Sequence, residues 1–423
     1  MLIVMTATRL LAAMGFAAVV LAAQPHPAAG DWLLINFTDR LEFEVSNPSD
    51  VTVDTIATLP VAPASRVALR FPGTLAIAVM LGSTPPAILP SQADDLDGDG
   101  VADEFVIPVK LGARETRTVH VYYSNTLRDR LPWPKRVHAS HAYGYNRSTI
   151  ALESEVIGYR SYGGFFLDIQ ARWEGRPGLN NSLVGYFGSG RKSEAGMDVI
   201  HLGDTLGLGG LFLRAGADVY RPPVNMPDYA HKPAPEEAPN YRVIADGPVR
   251  AMVQASMDRW TIGQDAVRIE ALYSIATGAT HADARFRIAP IKVSRAYEVG
   301  TGVRDLPKVT TRSAPGRIAL TGQQTDKIGP LAMALFYDPA EASAADPVMT
   351  KEGKNEAIVF REKLEPGRAA SGRFAVAAAW SGSGIRDLLG HVVAVEPAAR
   401  AKVTVGGFKH TKTPVPQKVE GES

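Results

Sequence analysis

The chain has 423 residues, 45% of them hydrophobic, with 45 Lys and Arg against 44 Asp and Glu and no cysteine. A balanced charge without a basic stripe argues against nucleic acid as a partner, and the missing cysteines exclude a disulfide framework and a lipoprotein attachment thiol. The length is ample for a large core in two domains.

Residues 1–23 carry one cation, Arg9, followed by the apolar run LLAAMGFAAVVLA. The run is short and Ala-rich for a membrane span, and Val20, Ala22 and Ala23 offer small side chains for a signal peptidase. A cleaved secretory signal is therefore expected, with no stable membrane insertion afterwards and a periplasmic or secreted location. Removing Arg9 from the 45 basic residues leaves 44 against 44 acidic ones, a neutral surface suited to an oligo- or polysaccharide partner. Oligomeric state is left open by the sequence.

From residue 30 to 126 short runs such as DWLLINF, LEFEVSN, VTVDTIA, SRVALRF, TLAIAVML, DEFVIPVKL and TRTVHVYYS read as strands of a small N-terminal β-sandwich. Residues 127–137, LRDRLPWPKRV, read as a linker. Residues 138–409 continue with FFLDIQARW, YRVIADG, VRAMVQASM, AVRIEALYSI, HADARFRI, AMALFYD, RFAVAAAW and KVTVGG. Helical periodicity is weak, its best candidate lying near Gly384 to Leu389. The fold class is all-β, a small sandwich followed by a large two-sheet β-sandwich of the galactose-mutarotase-like kind. The tail 410–423 reads as disordered.

Within the small domain, Asp95, Asp97, Asp99, Val101, Asp103 and Glu104 sit at alternate or near-alternate positions of DLDGDGVADE. Carboxylates so spaced, with the Val101 carbonyl, can converge on a structural calcium ion, although Val106 stands where an EF-hand would have Glu. The alternative is a hairpin turn in which Asp and Gly serve the backbone alone.

The stretch 138–162, HASHAYGYNRSTIALESEVIGYRSY, gathers groups that donate, accept or relay protons, which a chain places together at a cost unless they share a task. Read as one regular strand, LESEVIGYRSY puts Glu153, Glu155 and Tyr159 on one face and Ser154, Arg160 and Tyr162 on the other. Neighbouring glutamates raise one another's pKa, useful for acid or base work, or else pair with Arg160 or Arg147. His138 and His141 lack a zinc-ligand context. Tyr143 and Tyr145 can stack on a sugar or pack in the core. GMDVIHLGDTLGLGG, residues 196–210, adds Asp198 and His201 but lacks the setting of a nucleotide site, so no nucleotide or organic cofactor is expected. The Pro-rich insert 221–240 could bring Tyr229 and His231 to a ligand.

The series DLDGDGVADEFVIPV, RVHASHAY, ALESEVIGYRSY, GMDVIHLGDTLGLGG and YRVIADGPVRA resembles the bacterial domain of unknown function 4861 family. The resemblance implies a secreted protein of polysaccharide-utilisation systems acting on uronic-acid-containing glycans, by elimination. The matching positions are Glu153, Glu155, Tyr159, Arg160 and Asp198; Leu152 stands where many members have Trp. Elimination, whether it releases a sugar, as a lyase, or water, as a dehydratase, needs a group to neutralise the C6 carboxylate, a base for the C5 proton and an acid for the leaving oxygen. Arg160 or Arg147 is the candidate neutraliser; His138, His141 or His201 the base; Tyr145 or Tyr162 the acid. Substrate contacts are expected from Tyr143, Arg147, Glu153, Glu155, Tyr159, Asp198, Tyr229 and His231. A glycoside hydrolase using carboxylates and a non-catalytic periplasmic carbohydrate-binding protein are the alternatives.

Overall fold

Alternation decides the first elements. In Asp39–Ser46 the side chains of Leu41, Phe43 and Val45 are buried while Glu42 and Glu44 point outward, the period-two signature of a half-buried strand. The computed structural model describes residues 32–34, 36–127, 133–144, 147–162, 165–179, 190, 192–224, 234 and 237–412, without the side chains of 143, 144, 147, 148 and 162. The expected signal segment lies outside the described residues. Among those described, no helix is long and apolar enough to cross a membrane.

The small sandwich packs a five-stranded sheet against a three-stranded one. The larger sheet has the order 404–412, 39–46, 116–124, 75–80, 87–89, and the smaller one 53–60, 104–111, 92–94. Leu41, Phe43, Phe105, Ile107, Val121 and Tyr123 fill the space between them. The stretch SRVALRF is not a strand: Val61–Val67 is a short helix with Pro63 in its first turn, where proline costs no hydrogen bond.

The C-terminal boundary of the large domain also differs from the sequence reading. Thr404–Lys412 leaves the large sandwich and pairs antiparallel along Asp39–Ser46, so residues 410–412 are strand rather than disordered tail. Val405 and Phe408 pack on the small core, and His410 bonds Asp39 at 2.9 Å. The physical reason is the edge: without this partner the 39–46 strand would present unpaired N–H and C=O groups.

The large sandwich has two five-stranded sheets and one of eight strands. The first, in the order 196–198, 168–172, 157–162, 147–154, 137–144, meets the second, 218–220, 208–215, 298–304, 353–360, 342–350, at the bridge Leu167–Leu208. Both send apolar side chains into one core with the eight-stranded sheet, among them Leu152, Ile169, Leu211, Val299, Val253, Ile269 and Val376. The helix Leu388–Ala394, close to the expected position, covers Ala334, Ala375 and Ala377 on the other side of the long sheet. Arg250 ties the two sandwiches together, donating to Asp94 and lying 2.7 Å from Glu104.

Candidate functional site

The stretch 150–162 is a hairpin, not a single strand. The chain reverses at Glu155 and Val156, and Arg147–Ser154 then pairs with Ile157–Tyr162, Glu153 opposite Gly158 and Leu152 opposite Tyr159. Strand residues alternate between faces, so this two-residue turn brings Glu153 and Arg160 to the same face and sends Tyr159 to the other.

The apolar face of this sheet belongs to the core: Ile150, Leu152, Tyr159, Ile169 and Ala171 are all buried there. Burial pushes the Tyr159 hydroxyl far above the ordinary tyrosine range, and the group donates to the Thr280 carbonyl at 2.6 Å. Tyr159 is thus a core residue rather than the expected substrate contact.

The opposite face is polar yet also closed to solvent. Register aligns His138, Glu153, Gly158, Gln170 and Asp198 in one row across five strands, and Ser140, Ala151, Arg160 and Asp168 in the next. Four strand spacings make the first row roughly 19 Å long. Glu153, Arg160, Asp168, Gln170, Arg172 and Asp198 are each no more than 2% exposed.

Two ion-pair groups account for the charges. Arg172 holds Glu153, and Arg160 Nη2 donates both to Asp168 and to Asp198, the latter at 3.0 Å. Burial raises the pKa of Asp198 well above the ordinary aspartate value, the neighbouring Asp168 charge raises it further, and Arg160 works against both. Asp168 is raised by burial as well, against the pull of Arg160. Two carboxyls on one guanidinium away from water each oppose the other's ionisation.

Hydrogen bonding is incomplete on this one face. Among the described residues Ser140 Oγ, Thr149 Oγ1, Gln170 Oε1 and Asp198 Oδ1 are buried without a partner. Buried polar atoms ordinarily find one. All four lie on this one sheet.

The model of the family described as domain of unknown function (DUF4861) matches residues 45–389, a span that contains every one of these groups. The chain belongs to this family. No curated protein matches it. Among solved structures it is similar to an alpha-mannosidase from Enterococcus faecalis V583, at 8% identity and a TM-score of 0.46, over 87% of this chain and 46% of that one. A protein in glycosyl hydrolase family 38 from Enterococcus faecalis gives 9% identity, a TM-score of 0.46 and coverage of 87% and 47%. The chain spans less than half the length of either.

Within this DUF4861 chain the residues singled out by sequence scatter. Arg160, expected to neutralise a substrate carboxylate, is committed to two aspartates. Glu155 sits at the hairpin turn, bound to Arg136 and to the Gly278 amide. His138 lies at the far end of the row from Asp198, its Nδ1 2.9 Å from Asp246 and 2.8 Å from Lys135. His141 is exposed, its ring 6.2 Å from that of Tyr241. His201 is exposed beside Glu352 at 3.6 Å. Tyr143 and Arg147 are placed by backbone register opposite Ser148 and Gly144, and Tyr162 opposite Thr149. Tyr145, Tyr229 and His231 lie outside the described residues.

Asp168, Gln170 and Arg172 did not stand out in the sequence. The signal was present in Asp168-Ile169-Gln170-Ala171-Arg172, whose strict alternation puts three polar groups on one face and two apolar ones in the core.

The acidic loop converges only in part. Asp95, Asp97 and Asp99 bring carboxylate oxygens within 4.8 Å of one another. Asp103 instead accepts the Leu96 amide at 2.7 Å, Glu104 turns to Arg250, and Val101 is an exposed residue whose amide donates to Asp99. Of the five expected carboxylates three thus converge, while the Asp103 and Glu104 side chains take other partners.

Proposed function

We propose that this protein is a carbohydrate-active enzyme that cleaves a uronic-acid-containing oligosaccharide by β-elimination at Asp198, which the substrate reaches once the polar face of the 137–198 sheet, closed in this structure, opens to solvent. The observation that carries this reading is the Asp198 carboxyl: buried, held by Arg160, raised in pKa, and with Oδ1 unpartnered among the described residues. A carboxyl titrating closer to neutrality is matched to proton transfer.

When the C5 proton and the O4 leaving group lie on one side of the sugar, a single carboxyl can serve in turn. Asp198 takes the C5 proton, the C4–C5 double bond forms as the C4–O4 bond breaks, and the same proton passes to the departing oxygen. Arg160 is a positioning residue here, fixing the carboxyl and lending positive charge as the substrate's C6 carboxylate gains electron density. Gln170 Oε1, Ser140 Oγ and Thr149 Oγ1 take sugar hydroxyls. The row's length of roughly 19 Å suits several sugar rings, with His138 contacting a ring distant from the cleaved bond.

The test is incubation of the pure protein with uronate oligosaccharides while following near-ultraviolet absorbance and reducing ends. Elimination gives both signals, and Asp198→Asn removes them without removing binding. Reducing ends without new absorbance would assign hydrolysis, and binding without either would assign a carbohydrate-binding protein.

A further inference from the structure

A second group of charged side chains stands on the outer face of the eight-stranded sheet. Along the strand His281–Lys292, Ala282, Ala284, Phe286 and Ile288 enter the core, so His281, Asp283, Arg285 and Arg287 project from the opposite face. On the neighbouring strand Ala370–Trp380, Phe374 and Val376 are core residues, which sets Arg373 and Ala375 on that same outer face. Register then places Arg285 directly opposite Arg373, and Asp283 opposite Ala375. The helix Leu388–Ala394 packs on Ala375 and Ala377 and borders the group on one side.

Asp283, Arg285 and Arg373 are exposed, and the residues opposite Asp283 on its two neighbouring strands, Ser274 and Ala375, are small. Among the described residues neither Asp283 nor Arg285 has a hydrogen bond or an ion pair. Arg373 approaches Glu341 only to 3.9 Å, outside hydrogen-bond range, and Arg287 stands opposite Glu270. Directly opposed side chains have Cβ atoms roughly 4.5–5.5 Å apart, and like charges so placed are destabilising. Solvent reaches the Asp283 carboxyl, yet its surroundings are dense enough that burial raises its pKa, against the charges of His281, Arg285, Arg373 and Arg250. Burial lowers the pKa of His281, the innermost of the group.

We propose that Asp283, Arg285 and Arg373 form an open subsite for one uronate residue of a glycan, the two guanidiniums holding its carboxylate and Asp283 a neighbouring hydroxyl. The opposed arginines set the first half of this chemistry: a carboxylate between them removes their repulsion and matches the planar fork of each. Asp283 sets the second half. It lies two residues from Arg285, roughly 6.6 Å along the strand, and diagonal to Arg373, about 7–8 Å across it. The acid therefore stands beside the cationic pair and not between its members. A bare oxyanion such as sulfate meets the Asp283 charge with nothing to donate, whereas a uronate presents a hydroxyl there, which a carboxyl bonds in either protonation state. The subsite does not rest on the elimination reading, since it uses neither Asp198 nor the closed face of the 137–198 sheet.

The experiment dialyses the full chain to equilibrium against labelled glucuronate at low salt, which counts bound ligand, with glucose and inorganic sulfate as competitors. The double variant Arg285→Gln, Arg373→Gln is expected to bind one glucuronate fewer per chain than the parent at an unchanged Tm, because both side chains are exposed. Asp283→Asn should weaken glucuronate at this subsite about tenfold without weakening sulfate. Glucose should not compete, and sulfate should compete more weakly than unlabelled glucuronate. Asp198→Asn should leave the count as it is, so that failure of elimination and failure of the subsite are separate results. An unchanged count in the double variant, competition by glucose, or sulfate competing as well as glucuronate would each overturn the assignment, the last by reducing the subsite to a simple anion patch.

Discussion

Arg160 Nη2 lies 3.0 Å from Asp198 Oδ2 while donating to Asp168 from the same nitrogen. One cation thus holds two buried carboxyls, and the arrangement depends on it. Replacing Arg160 by methionine, similar in length but uncharged, leaves two acids facing each other with no counter-charge. Removing one partner of a buried pair costs about 3–5 kcal/mol, so urea denaturation of Arg160→Met should show a loss of that size. A loss below about 1 kcal/mol, the range of exposed pairs, would mean that the guanidinium is not the holder.

The same geometry fixes the sign of a pH effect. Asp198 has a higher pKa folded than unfolded, so the folded state binds its proton more tightly. Its contribution is full below the ordinary aspartate value and is lost as pH rises through the raised one. Asp198→Asn never ionises. Its stability relative to the parent should therefore improve as pH increases from about 4 to about 8, as measured by denaturation across that range. A pH-independent difference would show that the carboxyl is not raised.

Much of the fold was legible because both sandwiches obey the period of two: Leu41, Phe43 and Val45 announce a strand, as do Ile169 and Ala171. The site was half legible. The crowding of 138–162 falls on the sheet that carries the buried ion-pair groups, but a two-residue turn at Glu155 and Val156 inverted the facing of everything after it. Nothing in ESEV signals that turn, which lacks the glycine or asparagine that usually advertises one. Arg160 looked available because its partners Asp168 and Asp198 come from other strands, 8 and 38 residues away. Long-range pairing of this kind leaves no local trace.

Tyr159 gives a control. Tyr159→Phe removes a hydroxyl that donates to the Thr280 carbonyl inside the core, leaving that acceptor unpaired. A loss of about 1–3 kcal/mol is expected, with turnover of any substrate unaffected. A variant of full stability and impaired turnover would return Tyr159 to the binding surface.

The Asp95, Asp97 and Asp99 carboxylates also accept amides of their own loop, the Gly100 and Gly98 N–H groups holding Asp95 below the usual carboxylate range. Extracellular calcium sites bind at about 0.1–1 mM. If calcium completes this loop, Tm should rise by several degrees at about that concentration, fall again with chelator, and become indifferent to both in Asp97→Asn. A Tm unmoved by calcium would leave the loop to backbone geometry alone.

The strand Thr404–Lys412 seals the first-made sandwich with one of the last-made segments. Synthesis proceeds in the opposite sense to that closure. Until residue 412 is available, the 39–46 strand has one neighbour, Thr116–Ser124, and an open side. A nascent or truncated chain therefore carries an adhesive edge through the whole production of the large sandwich.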